Sequence, residues 1–155
     1  MPALTCTSKI NAPLEKVFEV FTDFSNAADR IDGIKSLDLL SDAPIGKGTR
    51  FRETRVMFGK EATEEMEITD FQPNESYRVE AESCGTHYVT DYTFRNDGTA
   101  TIVELSFAGN PVSLMGKLMS PMFFFMKNTL RKCLEEDLSC LKKFIENQAG
   151  VTSGV

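Results

Sequence analysis

The sequence predicts an α+β domain in which a curved, seven-stranded antiparallel sheet wraps around a long C-terminal helix, with two short helices after the first strand. Three observations lead to this prediction. Apolar residues recur at helical spacing from Leu130 onward. From Ile34 to Gly109 they instead alternate with period two between short turns, which is typical of hairpin-linked strands. Near Ala12 and Pro13 a short alternating segment gives way to helical spacing. One packing suits this order, with the concave face of the sheet around the last helix.

The length and charge of the chain limit the kinds of protein it can be. A chain of 155 residues buries enough apolar surface to form one domain without disulfides or metals. We predict a single domain over residues 1–149 and a flexible tail of small residues over 150–155. Seventeen Lys and Arg stand against 23 Asp and Glu, a net charge of −6. That balance argues against a nucleic-acid partner bound through its phosphates.

The first strand and the two short helices are predicted from the N-terminal segment. The strand spans Leu4 to Asn11, and a helix follows because proline suits the first turn of a helix and disfavours helical geometry just before it. A second short helix begins at Ser25 or Asn26 and reaches about Ile31, with Gly33 as its stop. The apolar face of the first helix consists of Leu14, Val17, Phe18, Phe21 and Phe24.

Six strands follow, separated by segments rich in the residues of tight turns. Because each connection is short, neighbouring strands are expected to pair as antiparallel hairpins. The predicted strands are Ile34 to Ser41, Thr49 to Phe58, Glu61 to Phe71, Ser76 to Ser83, His87 to Arg95 and Thr99 to Ala108.

The long helix is preceded by an unusually apolar segment, from Leu114 to Met126. Its apolar residues would cover almost the whole circumference of a helix, so they need apolar neighbours on more than one side. Lys117 and Pro121 interrupt the segment, which falls short of the ~20 residues that span a bilayer. We therefore expect no integral membrane association.

A break is predicted within this segment. Ser120 can cap a helix whose first turn accepts Pro121 and which runs to about Glu146. We predict a bend at Ser120 and Pro121, with residues 114–119 forming a separate flap or a kinked extension before it.

The sequence shows no signal for export or for metal binding. No basic and apolar leader opens it, so a cytoplasmic protein is expected. The four cysteines show no CxxC spacing and are expected to be reduced thiols. With a single histidine, no zinc-type spacing and no cluster of carboxylates and histidines is visible, so we expect no metal and no cofactor.

Alternation along the strands predicts which side chains face the last helix. The inward sets are Tyr77, Val79 and Ala81; Val103, Leu105 and Phe107; Glu64, Met66 and Ile68; and Tyr88, Thr90, Tyr92 and Phe94.

The strand from Thr49 to Phe58 is ambiguous. If Phe51 points inward, the period of two brings Glu53 and Arg55 inward with it, next to Glu64 on the following strand. Buried isolated charges are costly, so such a cluster persists only if the charges pair or line a wet cavity. In the alternative, the strand is bulged or near an edge and these charges are solvated.

Several short segments carry a resemblance to a known family. They are Ile10-Asn11-Ala12-Pro13 leading into Val17-Phe18, Ile45-Gly46-Lys47-Gly48-Thr49-Arg50-Phe51, Phe71-Gln72-Pro73-Asn74, and Tyr92-Thr93-Phe94 with Gly98-Thr99. Together with the long last helix they resemble the START-related superfamily known as SRPBCC, close to its polyketide cyclase/dehydrase-like branch, over about Leu4 to Asn147.

The resemblance implies the helix-grip fold, also seen in the major birch-pollen allergen, with a cavity between the sheet and the last helix. Family members bind lipids, sterols, hormones, quinones or polyketides, and a minority catalyse cyclisation or dehydration of such ligands. They share no single set of catalytic residues, and the fold does not fix the function.

The predicted pocket combines an apolar wall with a few polar groups, as a small hydrophobic ligand requires. At any single one of these positions, however, methionine or phenylalanine is more often plain core than a ligand contact. The wall would consist of Phe51, Met66, Met119, Met122, Phe123 and Met126, and the polar groups would be Glu53, Arg55, Glu64, Tyr77, Tyr88 and Tyr92.

Three hypotheses for function follow. The favoured one is a binding protein or carrier for a lipid, quinone or polyketide-like molecule, with Arg55 pairing a carboxylate or carbonyl of the ligand. The second is a cyclase or dehydratase in which Glu53 or Glu64 acts as general base and a tyrosine or Arg55 stabilises an enolate. The third is an interaction module, in which the segment from Leu114 to Met126 docks a protein partner or a membrane surface. A homodimer formed through that segment is a variant of the third.

Overall fold

The α+β fold class is confirmed, with seven strands and a long C-terminal helix. The computed structural model describes residues 3–42, 44–57, 59–83, 85–114, 117–118 and 127–153. In chain order the elements are β1 (Leu4–Ile10), α1 (Leu14–Phe21), a 3-10 turn (Phe24–Asn26), α2 (Ala27–Arg30), β2 (Ile34–Leu39), β3 (Arg50–Met57), β4 (Lys60–Gln72), β5 (Ser76–Ser83), β6 (Thr86–Asp97), β7 (Ala100–Pro111) and α3 (Lys127–Ser153).

The seven strands form one antiparallel sheet in the order β1-β7-β6-β5-β4-β3-β2. From β2 to β7 each strand pairs with the next along the chain, as their short connections predict. The first strand pairs with β7, the last one. β1 and β2 are therefore the two edge strands of the sheet. The helices α1 and α2 connect these two edges.

Several strands are longer than the sequence predicts, because their ladders continue into polar residues. At the turn between β6 and β7, Asn96 pairs with Thr101 and Asp97 with Ala100. Backbone hydrogen bonds extend a strand whatever its side chains, so a pattern of apolar residues underestimates its length. β2 is shorter than predicted and ends at Leu39.

The turn between β4 and β5 shows how local residues set the connections. Asn74 has a φ of 61°, a left-handed conformation that asparagine tolerates better than most residues. The backbone N–H of Glu75 donates to the carbonyl of Gln72 at 2.9 Å and closes the turn. Pro73 and Asn74 therefore supply the turn that joins these two strands.

The main core lies between α1, the concave face of the sheet and α3. Phe18 on α1 is only 5% exposed and meets three aromatic rings edge-on, with centroid distances of 5.5 Å to Phe71, 6.1 Å to Tyr77 and 5.1 Å to Phe94. Burying one such side chain stabilises the fold by about 1.5–3 kcal/mol, and edge-to-face ring pairs add to that.

Polar contacts attach α3 to the edge strand β1. Arg131 donates to the carbonyl of Thr5 at 3.0 Å, and Lys142 donates to the carbonyl of Lys9. Glu146 accepts the backbone N–H of Asn11 at 2.8 Å. Because an unpaired edge strand can recruit a strand from another chain, covering these groups also protects the edge.

The segment before α3 is described only in part. Leu114 and Leu118 are 75% and 73% exposed. The predicted bend at Ser120 and Pro121 lies outside the described residues, as does the start of the predicted helix. Docking of a partner or a membrane surface on this segment therefore stays a prediction, as does a homodimer formed through it.

At its other end α3 runs to Ser153, so residues 150–153 are helical where the sequence predicts a tail. The predicted domain limits themselves stay a prediction. No helix within the described ranges is long and apolar enough to cross a membrane.

Candidate functional site

A cavity of about 460 Å³ lies between the concave face of the sheet and α3. Strands β2 to β7 form one wall, and the helical segments between Val20 and Ile31 form another. From α3 the wall receives Leu134, Leu138 and Leu141, which follow one another at helical spacing. The lining is mostly apolar, so that its few charged and hydroxyl groups define where a ligand can bind through polar contacts.

The orientation of β3 is decided by its neighbours. β3 lies one strand in from the edge, between β2 and β4. Its pairing with β4 is regular over the whole strand, and the irregularity in its pairing with β2 lies on β2, between Ile34 and Ser36. Phe51 is 2% exposed and stacks on Phe24 with ring centroids 4.9 Å apart. Because side chains alternate along a strand, Glu53 and Arg55 share the inner face with Phe51, and all three line the cavity.

A network of ion pairs joins β3 to α3 across the cavity wall. The guanidinium of Arg55 meets Asp137 through two parallel contacts, 3.1 Å from Nη1 to Oδ1 and 2.9 Å from Nη2 to Oδ2. Its Nε and Nη2 both lie 2.9 Å from Oε1 of Glu53. We call Glu53, Arg55 and Asp137 the ion triad. Their side chains are between 11% and 19% exposed, so the network is largely shielded from water.

The pKa values of Arg55 and Asp137 are shifted by burial and by the neighbouring charges. Burial raises the pKa of Asp137, and Arg55 opposes that shift. Burial also acts to lower the pKa of Arg55, but Asp137 and Glu53 more than offset it, so that pKa is raised and Arg55 stays charged. The triad is therefore a shielded carboxylate–guanidinium network built around a charged Arg55.

Gly33 makes room for this network. A Cβ added at Gly33 would lie 3.2 Å from Nη1 of Arg55 and 3.7 Å from Oδ1 of Asp137. The first distance is shorter than an ordinary van der Waals contact. A side chain at this position would press on the guanidinium, which both carboxylates hold in place.

Asp137 was missed by the sequence prediction, although the sequence contains a signal for it. It lies three residues after Leu134 and four before Leu141, within the apolar stripe of α3. A carboxylate on the buried face of a helix needs a partner, because a buried unpaired charge is costly. The pattern indicated a partner but not its identity, since Arg55 is 82 positions away.

Glu64 is the third carboxylate of the cavity and differs from the other two. It lines the cavity from β4, directly opposite Glu53 in the ladder. Its side chain is half-buried, and within the described ranges it forms no ion pair and no hydrogen bond. Like charges directly opposite one another in a sheet destabilise it. Glu64 is therefore a carboxylate that can still accept a hydrogen bond from a molecule in the cavity.

Three tyrosines add ring surface and hydroxyl groups. Tyr77 and Tyr92 stack with ring centroids 4.6 Å apart, and the hydroxyl of Tyr77 donates to the carbonyl of Phe21 at 3.5 Å. Burial raises the pKa of both hydroxyls, and the carboxylates of Asp137 and Glu53 raise that of Tyr92 further. Both hydroxyls therefore stay protonated and can donate hydrogen bonds.

The remaining tyrosine, Tyr88, stacks on Phe107 with ring centroids 5.6 Å apart. A Cβ at Gly109 would come within 3.1 Å of the Tyr88 ring, so the glycine admits that ring to the cavity wall.

The cavity also receives a thiol from α3. Cys133 lines it, and its pKa is raised by burial first and by Asp137 second. A thiol with a raised pKa is a poor nucleophile at neutral pH. Cys6, Cys133 and Cys140 are free thiols.

The structure brings together eight of the residues that the sequence placed in a pocket. All of them line the cavity, namely Phe51, Glu53, Arg55, Glu64, Met66, Tyr77, Tyr88 and Tyr92. The other four, Met119, Met122, Phe123 and Met126, lie outside the described residues. Whether any of the twelve contacts a ligand stays a prediction.

No group of three or more His, Cys, Asp and Glu side chains within the described ranges is arranged to hold a metal ion. In the triad the two carboxylates face a guanidinium instead, which takes the place that a cation would need.

Comparison with known proteins gives a family match and a set of structural neighbours. A family model described as polyketide cyclase/dehydrase and lipid transport matches residues 1–146. No curated protein matches the sequence.

Many solved structures share the fold. A START superfamily protein from Mycobacterium smegmatis is 14% identical, with a TM-score of 0.78 over 96% of this chain and 99% of the other. The ZhuI aromatase/cyclase of a Streptomyces species is also 14% identical, with a TM-score of 0.75 over 95% of this chain and 94% of the other. A Thermus thermophilus protein is 21% identical, with a TM-score of 0.72 over 95% and 99%. At such identities the likeness shows the fold alone.

Proposed function

Because this chain belongs to the polyketide cyclase/dehydrase and lipid transport family, we propose that it binds a hydrophobic small molecule in the cavity between the sheet and α3. The observation that carries the proposal is the cavity itself. Its volume of about 460 Å³ falls within the range of small-molecule sites, roughly 300–1,000 Å³. The described side chains leave this space unfilled, whereas protein interiors normally pack without voids of this size.

The chemistry of the lining supports an apolar ligand. Aliphatic and aromatic side chains from the sheet and from α3 form most of the wall, and transfer of an apolar molecule to such a surface gains roughly 25 cal/mol per Å² of buried area. The charged groups come from β3, β4 and α3. They supply one polar region, which suits a molecule that carries a single polar head.

A pair of variants on the two faces of the sheet tests the proposal. Ala81 lines the cavity, whereas Ala108 follows the lining residue Phe107 and therefore points to the outer face. Ala81→Phe fills part of the cavity, and Ala108→Phe makes the same chemical change outside it. We expect the neutral fluorescent probe N-phenylnaphthylamine to bind the wild-type protein saturably.

For this probe Ala81→Phe should weaken binding by about tenfold or more, a change of ~1.4 kcal/mol, while Ala108→Phe leaves the Kd unchanged. If both variants weaken the saturable binding equally, the probe binds outside the cavity. An absence of saturable binding by any apolar probe would count against a ligand cavity.

A second candidate function, catalysis of a cyclase or dehydratase type, is favoured by one observation. Glu64 presents a carboxylate to the cavity with no partner within the described ranges, whereas Glu53 is held by Arg55. Of the two carboxylates that the sequence proposed as general base, Glu64 is therefore the better candidate.

Proton exchange at the carbon between two carbonyl groups tests this role without requiring a complete reaction. We expect the protein to accelerate exchange of that proton for deuterium in a naphthyl β-diketone. Glu64→Gln should slow the catalysed exchange by about a hundredfold, and Glu67→Gln, an exposed control on the outer face of the same strand, should not. Equal exchange rates with and without the protein would remove Glu64 as a base.

A further inference from the structure

The charges of the cavity are unbalanced. Of the described residues that line it, Arg55 is the one basic side chain, whereas Glu53, Glu64 and Asp137 are acidic. With all four ionised, one positive and three negative charges leave a net charge of −2 on the wall. Apolar surroundings reduce the screening of such charges, so their sign strongly influences which molecules can enter.

Four of the five N–H donors of Arg55 are already in use. Its Nε and both terminal nitrogens contact the carboxylates of Glu53 and Asp137 at 2.9–3.1 Å. Asp137 binds the two terminal nitrogens of the guanidinium in a bidentate manner, and a ligand carboxylate would use the same edge. A ligand acid could reach Arg55 in this way only by displacing a carboxylate of the protein, and it would bring a further negative charge close to Glu64.

We propose that the cavity selects apolar ligands whose polar head donates hydrogen bonds, either a protonated amine or a hydroxyl group, and that it discriminates against carboxylates. This inference rests on the proposed binding function and specifies the ligand class. Glu64 is the acceptor for the head, because it lines the cavity and has no partner within the described ranges. A cationic head also relieves the repulsion between Glu64 and Glu53, which lie directly opposite each other in the ladder.

Three ligands with one skeleton and different heads test the inference. Naphthylmethylamine carries a protonated amine, naphthalenemethanol a hydroxyl group and naphthoic acid a carboxylate. Isothermal titration of the wild-type protein at neutral pH should give the tightest binding for the amine, intermediate binding for the alcohol and the weakest for the acid. We expect the amine to bind at least about tenfold more tightly than the acid, a difference of ~1.4 kcal/mol.

Glu64→Gln tests the acceptor. It preserves the shape of the side chain and removes one of two opposed charges, so we expect the variant to fold. The preference for the amine over the acid should fall by about tenfold, while the Kd of the alcohol changes little. Glu67→Gln removes the same charge from an exposed position on the outer face of β4 and should leave all three affinities unchanged.

The outcomes separate this inference from the proposed function. If the acid binds as tightly as the amine, or more tightly, and Ala81→Phe weakens all three, the cavity binds ligands but does not select their heads as inferred. If Glu64→Gln leaves the ranking intact, Glu64 is not the acceptor. If none of the three binds and N-phenylnaphthylamine also fails to bind, the proposed function is wrong and this inference fails with it.

Discussion

Arg55→Met is the most informative single test of the ion triad. Methionine keeps an unbranched chain that suits an apolar wall, but it removes the guanidinium and the charge that Glu53 and Asp137 share. The two carboxylates would then lie close together with no cation between them. Removing one partner of a buried ion pair costs about 3–5 kcal/mol, and the partial exposure of these side chains places the expected cost near the lower limit, at about 3 kcal/mol.

A double-mutant cycle isolates the interaction from the loss of packing. Urea unfolding of the wild-type protein, Arg55→Met, Asp137→Asn and the double variant gives the four free energies that the cycle needs. Once Arg55 is gone, Asp137→Asn removes an unpaired charge, so the double variant should be more stable than the sum of the single effects by at least ~1 kcal/mol. In thermal unfolding, a loss of about 3 kcal/mol should lower the Tm by about 6–12 °C.

The pH dependence of Arg55→Met follows from the pKa of Asp137. Burial already raises that pKa and Arg55 opposes the shift, so the variant should raise it further. An acid with a raised pKa in the folded state binds protons more tightly when folded, so it favours folding at low pH and loses that contribution as the pH rises through the raised value. The deficit of Arg55→Met relative to wild type should therefore be smaller at about pH 5 than at about pH 7.5.

Two results would refute this account of the triad. One is a loss of less than ~1 kcal/mol for Arg55→Met, because an interaction that weak belongs to an exposed ion pair. The other is strict additivity in the cycle, which would mean that Arg55 and Asp137 are not energetically coupled.

The remaining predictions concern packing, the glycine beside the triad and the attachment of α3. Gly33→Ala should lower the free energy of unfolding of the wild-type protein by about 1–2 kcal/mol, because the new Cβ presses on Arg55. In the Arg55→Met variant the same substitution should cost much less. Urea unfolding with and without Gly33→Ala in each background measures the two costs. Phe18→Ala should cost about 3–5 kcal/mol by the same assay, because its ring is buried against three others. Leu39 is 38% exposed, so Leu39→Ala should cost clearly less, about 1–2 kcal/mol. The pKa of Glu146 is lowered below its ordinary value of 4.5, first by the backbone N–H of Asn11 and second by Lys142. Glu146 therefore stabilises the fold above pH 4.5, and this stabilisation is lost as the pH falls through the lowered pKa. Glu146→Gln should therefore cost about 1 kcal/mol at neutral pH and nearly nothing in acid, and a cost that does not change with pH would contradict this explanation.

The order of the elements and their inner faces could be predicted from the sequence because both depend on local patterns. Alternation with period two assigns Tyr77, Val79 and Ala81 to one face of a strand whatever the strand pairs with. Residues that favour turns, such as Pro73 and Asn74, mark where the chain reverses. The limits of the strands were predicted less well, because backbone ladders continue through polar residues at Thr86 and Asp97.

The polar groups of the cavity were predicted only in part. Period two required Glu53 and Arg55 to share the face of Phe51, but it left open whether that face was buried. The structure decides the matter because this face of β3 lines the cavity beneath α3, which brings Asp137 to the guanidinium and leaves the three side chains 11–19% exposed. β3 does lie next to an edge, as the alternative proposed, but its charges are paired and shielded, so the solvated charges of that alternative are wrong.

The sequence by itself determined that this chain forms a curved sheet around a helix and which strand positions face inward, since hydrophobic periodicity and turn chemistry act between residues that are near in the chain. Only the tertiary structure decided that Arg55 is bound by the protein's own carboxylates and that Glu64 has no partner among the residues that the structure describes. Arg55 and Asp137 are 82 positions apart, and no local pattern specifies which charge a folded chain brings to another over such a distance.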